Sequence, residues 1–165
     1  MIFQVLFNGL VTGAIISLPA LAITLLFGMV AYDSPMPTGS PLFEFIVTFL
    51  IGSLSFTALA LALTVAIPNA EAAPPIVNAA ILPLLFLSGI FIPLDDEAPK
   101  WITTIADIFP VKHFADAMRA GFLGNLVGPK GQVFPFDWMD VAIVAGWGIL
   151  GLVLAARFFS WEPRR

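Results

Sequence analysis

A chain of 165 residues with 59% hydrophobic and 11% charged side chains carries too little polar surface to cover a water-soluble domain, in which about a quarter of residues are charged. Its formal net charge of −4 comes without a basic run, which argues against nucleic acid as a partner. It has no cysteine and one histidine, His113, so disulfides, thiolate metal sites and multi-histidine metal sites are all excluded within one chain.

A bilayer core about 30 Å thick is crossed by roughly 20 apolar helical residues. Four stretches meet that length, and the chain is expected to be an all-α, integral membrane bundle forming a single domain over residues 1–165. The first stretch, residues 3–30, is uncharged, with Gln4 and Asn8 near its start and Pro19 inside. It is too long for the apolar core of a signal peptide and has no basic residues ahead of it, so it reads as a retained membrane helix. Asp33, Pro35, Pro37, Gly39 and Pro41 then give turn chemistry.

The second stretch, residues 43–67, has Glu44 near its start, within reach of headgroups. It is rich in small residues (Gly52, Ser53, Ser55, Ala58, Ala60, Ala62), which let membrane helices approach closely. Pro68, Asn69, Ala70 and Glu71 form a short polar break, and Pro74-Pro75 suit the start of the next helix. The third stretch is residues 75–94, with Pro83 in its interior; in a membrane, neighbouring helices satisfy the carbonyl that such a proline frees. A long polar loop, residues 95–137, precedes the fourth stretch, residues 139–159, which Gly146, Gly148 and Gly151 mark as a close-packing helix.

The loop carries most of the charge. Asp95, Asp96 and Glu97 precede Pro99, and Trp101, Ile102, Ile105 and Ile108 recur at helical spacing, which predicts a short amphipathic helix over 99–109. Pro110 restarts the pattern. Val111, Phe114, Ala115, Met118 and Phe122 share one face; Lys112, Asp116 and Arg119 share the other, spaced for i,i+4 and i,i+3 ion pairs. Gly121 and Gly124 stop this second helix, expected over 111–122. Two such helices between spans lie at the interface or dip into it, with Trp101 and Trp138 as belt residues.

Catalytic chemistry finds no foothold. The phosphate-binding pattern G-x-x-x-x-G-K-[ST] is absent, as is G-x-S-x-G around Ser88-Gly89. His113 with Asp116 would be a proton-transfer pair, yet no motif places a nucleophile or second base beside it. The spans are almost free of paired acids, which disfavours an intramembrane enzyme. Glu71 sits at a span boundary, where an acid is solvated or caps a helix.

The stretch from Asn69 to Gly124 resembles the C-terminal part of ABC-2 type transporter permeases, the membrane subunits of ABC exporters, including the daunorubicin-resistance type. The residues are Asn69-Ala70-Glu71-Ala72, Leu82-Pro83-Leu84, the run Phe86-Leu87-Ser88-Gly89-Ile90-Phe91-Ile92-Pro93, then Pro99-Lys100-Trp101, Phe109-Pro110 and Met118-Arg119. The resemblance implies two short helices re-entering the outer edge of the membrane before the last span. It implies a multi-pass protein of the cell membrane with a cytoplasmic C-terminus; the Lys and Arg count alone is nearly balanced between the two sides. It also implies a second permease copy, identical or related, an ABC ATP-binding subunit that carries the ATP, surrounding lipid, and an amphiphilic substrate (drug, lipid or glycan).

Glu71, Ser88, Gly89, Pro93, Trp101, Pro110 and Arg119 are the structural or gating candidates that follow, with no catalytic, metal or cofactor residue on this chain. Permeases of this kind have six spans, so the four stretches are expected to correspond to spans three to six, with the cytoplasmic coupling segment missing. The alternative reading is a truncated or accessory membrane protein without independent transport.

Overall fold

The computed structural model describes residues 36–89, 99–124 and 135–158, together with isolated helical positions within residues 4–30. Every regular element among the described residues is a helix. In chain order they are α1 (Ser40–Leu63), two single 3-10 turns (Thr64–Ala66 and Ala70–Ala72), α2 (Ala73–Leu87), α3 (Lys100–Ile108), α4 (Pro110–Leu123) and α5 (Trp138–Phe158).

Two helices have the length and hydropathy of membrane spans: Ser40–Ala66, which is α1 with its 3-10 extension, and α5. Only 28% of each one's most apolar window is buried inside the molecule. Phe43, Ile46, Leu50 and Leu54 of α1, and Ile149, Leu150, Val153 and Phe158 of α5, point outward. The core helix of a water-soluble protein would hide such side chains; here they need lipid. Within α1, Ser53 donates its hydroxyl to the Phe49 carbonyl and Thr57 to that of Ser53, each at 2.7 Å. Thr48 is only 2% exposed, and its hydroxyl has no hydrogen-bond partner among the described residues.

α1 and α5 run parallel. Phe43 lies near Trp138 at their starts (ring centroids 6.5 Å apart), Ser55 lies on Gly148, and Ala58 and Leu59 lie on Gly151 further along. A β-carbon built on Gly151 would stand 2.8 Å from the Leu59 backbone nitrogen, and one on Gly148 2.8 Å from the Ser55 Cα. Gly146, which the sequence groups with these two, has open space around it and takes no part in the contact.

The second and fourth stretches therefore fold nearly as expected, at Ser40–Leu63 and Trp138–Phe158. The third is shorter than its expected 75–94. α2 ends at Leu87 after 15 residues, about 22 Å of helix against a core about 30 Å thick. Ser88 turns its hydroxyl onto the Leu85 carbonyl at 2.7 Å, and Gly89 takes a left-handed φ of 72°, which stops the helix. Pro83 stays inside α2, as read. The first stretch falls almost wholly outside the described residues, as do Pro19, Pro93 and the acids Asp95, Asp96 and Glu97.

Candidate functional site

The two short helices of the polar loop form at Lys100–Ile108 and Pro110–Leu123, close to their expected bounds. Phe109 is extended (φ −92°, ψ 147°), the conformation that a following proline enforces, and Pro110 opens α4. The result is a hairpin whose corner is residues 107–110.

α4 lies antiparallel to both spans. Phe114 packs on Gly52, Gly121 lies on the backbone of Phe45, and Gly124 meets Pro41, so α4 descends α1 in reverse. Phe122 packs on Phe45 with centroids 6.1 Å apart, and Phe114 meets Phe56 edge-on at 5.3 Å. The same order holds on α5: the corner reaches Trp147 while His113, one turn later, reaches Asp140. Trp147 is nine residues beyond Trp138, about 14 Å along a helix about 31 Å long. The corner of the hairpin thus sits near the middle of α5.

Polar groups at that depth need partners inside the protein. The last carbonyls of α3 each have one. Ala106 accepts from the Phe109 N–H at 3.3 Å, Asp107 from His113 Nε2 at 2.8 Å, and Ile108 from the Trp147 indole at 2.9 Å. The Trp147 ring also stacks on Phe109, with centroids 5.8 Å apart. The Asp107 carboxylate pairs with Lys112. His113, only 9% exposed, turns its other nitrogen, Nδ1, to Asp140 Oδ1 at 2.6 Å.

On the outer face of α4, Asp116 pairs with Arg119 at 2.8 Å and stands 4.0 Å from Lys112. Burial raises the Asp116 carboxyl above the usual carboxylate range, against the lowering pull of Arg119 and then Lys112. The predicted ion-paired face is therefore present. The predicted apolar face is rotated, because the buried side of α4 is Pro110, His113, Ala117, Ala120 and Gly121. Small residues face the spans because the backbones nearly touch there; Phe114 and Phe122 pack from the flanks.

The candidates fall in different places. Pro110 is buried at the hairpin corner and Arg119 lies on the same helix; Trp101, 63% exposed, stands at the start of α3. Ser88 is buried and Gly89 half-buried at the end of α2, and Glu71 is exposed in its 3-10 turn, where Asn69 Oδ1 accepts from the Ala72 N–H. His113 meets Asp140 and the Asp107 carbonyl rather than the side chain of Asp116. Asp140 and Trp147 carry no local signal: one is an acid in the first turn of a span, the other an aromatic in an apolar run.

The sequence model of the ABC-2 type transporter membrane domain matches residues 1–123, which takes in α1 to α4 and leaves the α5 anchors Asp140 and Trp147 outside the match. No curated protein and no solved structure matches the chain.

Proposed function

The chain belongs to the ABC-2 type transporter family, matched over residues 1–123, and from that premise we propose that it is the membrane-embedded permease subunit of an ATP-driven exporter for an amphiphilic substrate. The family match is the observation that carries this reading. In it, ATP is bound and hydrolysed by a separate ABC subunit, and a second permease copy completes the pathway in the cell membrane.

The fold supports this division of labour. Parallel α1 and α5 imply an odd number of crossings between them. α3 and α4, about 14 and 21 Å long, are joined as a hairpin anchored on one side, so the segment that begins with α2 is left to make the single crossing. Residues 40–158 hold three spans in this reading. Both α1 and α5 end on one side, which we take as cytoplasmic, together with Glu71 and Arg157. The hairpin enters from the other side, and in this reading Trp101, Pro110 and Arg119 shape the outer half of the path.

The test is purification of the tagged chain from its native membrane in mild detergent, with mass spectrometry of what accompanies it. A stoichiometric ABC ATP-binding subunit is expected. Recovery of the chain alone, or only with a longer permease, would favour the accessory reading and overturn this one.

A further inference from the structure

His113 is hydrogen-bonded at both ring nitrogens, and both partners are acceptors. The Asp107 carbonyl has no hydrogen to give, so Nε2 must carry one. That leaves Nδ1, 2.6 Å from Asp140 Oδ1, and an ionised carboxylate also only accepts. A neutral imidazole facing an ionised Asp140 would set two lone pairs against each other. The contact closes only with one further hydrogen, present either as imidazolium against carboxylate or as imidazole against carboxylic acid. The proton count is the same in both.

We infer that His113 and Asp140 form a proton-binding site, and that the proton held there lets His113 bond Asp140 and the Asp107 carbonyl at once, which ties the corner of the α3–α4 hairpin to α5. The inference goes beyond the transport reading and does not depend on it. Its geometry is suited to the task. The two side chains are 27 residues apart in sequence and join the hairpin to the first turn of a span. The His113 and Asp140 side chains are 11% and 23% exposed, so little water is available to replace the missing hydrogen.

Among the described residues, the charged surroundings come from few elements. α3 presents Asp107, whose carboxylate is taken by Lys112. α4 presents Lys112 and Asp116, the latter held by Arg119. α5 presents Asp140 itself, with Asp137 just before it bonded to the Met139 N–H. α2 has no ionisable side chain, and α1 has only Glu44, which is bonded to Ser40. When the proton leaves, nothing in this set can supply a second hydrogen to the ring except Lys112, which is already engaged with Asp107. The one N–H of the neutral ring then serves either Asp140 or the Asp107 carbonyl but not both, so the bridge from α5 through His113 to the corner of the hairpin is broken whichever tautomer forms.

The chain's lack of cysteine makes the test direct. A cysteine at Ala106→Cys, on the buried side of α3 beside the corner, reports opening of the corner; one at Thr104→Cys, which is exposed, reports the reagent's own pH dependence. In the full chain in lipid nanodiscs, the ratio of maleimide labelling at Ala106→Cys to that at Thr104→Cys is expected to rise several-fold from mildly acidic to alkaline buffer. In the doubly substituted His113→Gln, Asp140→Asn background, amides keep hydrogen bonding possible without titrating, and the ratio is expected to be flat. A flat ratio in the unsubstituted background, or an unchanged rise in the double variant, overturns the inference.

Should the double variant fail to fold, the single histidine provides a second measurement on the unsubstituted chain. The ring nitrogen resonances of ¹⁵N-labelled His113 must change over the same pH interval as the labelling ratio. Resonances that change elsewhere, or not at all, also overturn it.

Discussion

Where α1 meets α5, glycine lets backbone touch backbone; where the hairpin meets α5, an indole and an imidazole reach across to oxygen atoms. The first contact is a matter of shape. Gly148 and Gly151 are pressed against Ser55, Ala58 and Leu59, and no side chain there has a polar task. The second is a matter of partners. Trp147 and His113 close the carbonyls of Ile108 and Asp107 at the corner of the hairpin. In lipid there is no hydrophobic drive to bring helices together, so close packing and internal hydrogen bonds are the two means left. This molecule uses them in separate regions.

That separation is open to attack from either side. The largest effect is expected at Gly151→Val, because the obstacle is the Leu59 backbone, which cannot swing away. Overpacking of this kind costs about 3 kcal/mol or more, read as lost folded yield and a lowered unfolding midpoint in detergent. Gly52→Ala is its counterpart: there the obstacle is the Phe114 ring, a side chain that can turn aside, and the loss should be clearly smaller. An equal loss at both positions would end the idea that backbone contact sets the cost.

Next in size is Trp147→Phe, which keeps an aromatic ring beside Phe109 but leaves the Ile108 carbonyl without its donor. With lipid rather than water around it, an orphaned acceptor costs about 1–3 kcal/mol. The loss should appear as faster hydrogen exchange or proteolysis within residues 100–123, with the α1–α5 contact kept. Uniform destabilisation across the chain would show that the two regions are not independent. The smallest effect has the opposite sign. Thr48→Val replaces a buried hydroxyl that lacks a partner by a group of the same shape, and is expected to raise stability by about 1 kcal/mol in the same unfolding assay.

Much of this was legible in the residues themselves. The second and fourth stretches, Pro110 as a helix start and the Lys112–Asp116–Arg119 pairing all follow from rules that act within one or two helical turns. What stayed hidden depends on distance. The end of the third helix at Leu87 turns on one backbone angle at Gly89, in a run whose hydropathy continues unbroken to Leu94. The buried face of α4 is rotated because what matters there is how near two backbones come, and periodicity of bulky residues does not measure that. His113 was visible and its partner was not: Asp116 is the neighbour along the helix, but Asp140 is the neighbour across space.

The hairpin's dependence on Trp147 has a consequence for how the protein is made. Ile108 leaves the ribosome 39 residues before the indole that answers its carbonyl, about 2–8 s at ordinary rates of synthesis. Phe45, Gly52 and Pro41 are already available to α4 in that interval, but the corner is not yet closed. Until the indole is made, the Ile108 carbonyl lacks the donor that the folded molecule gives it.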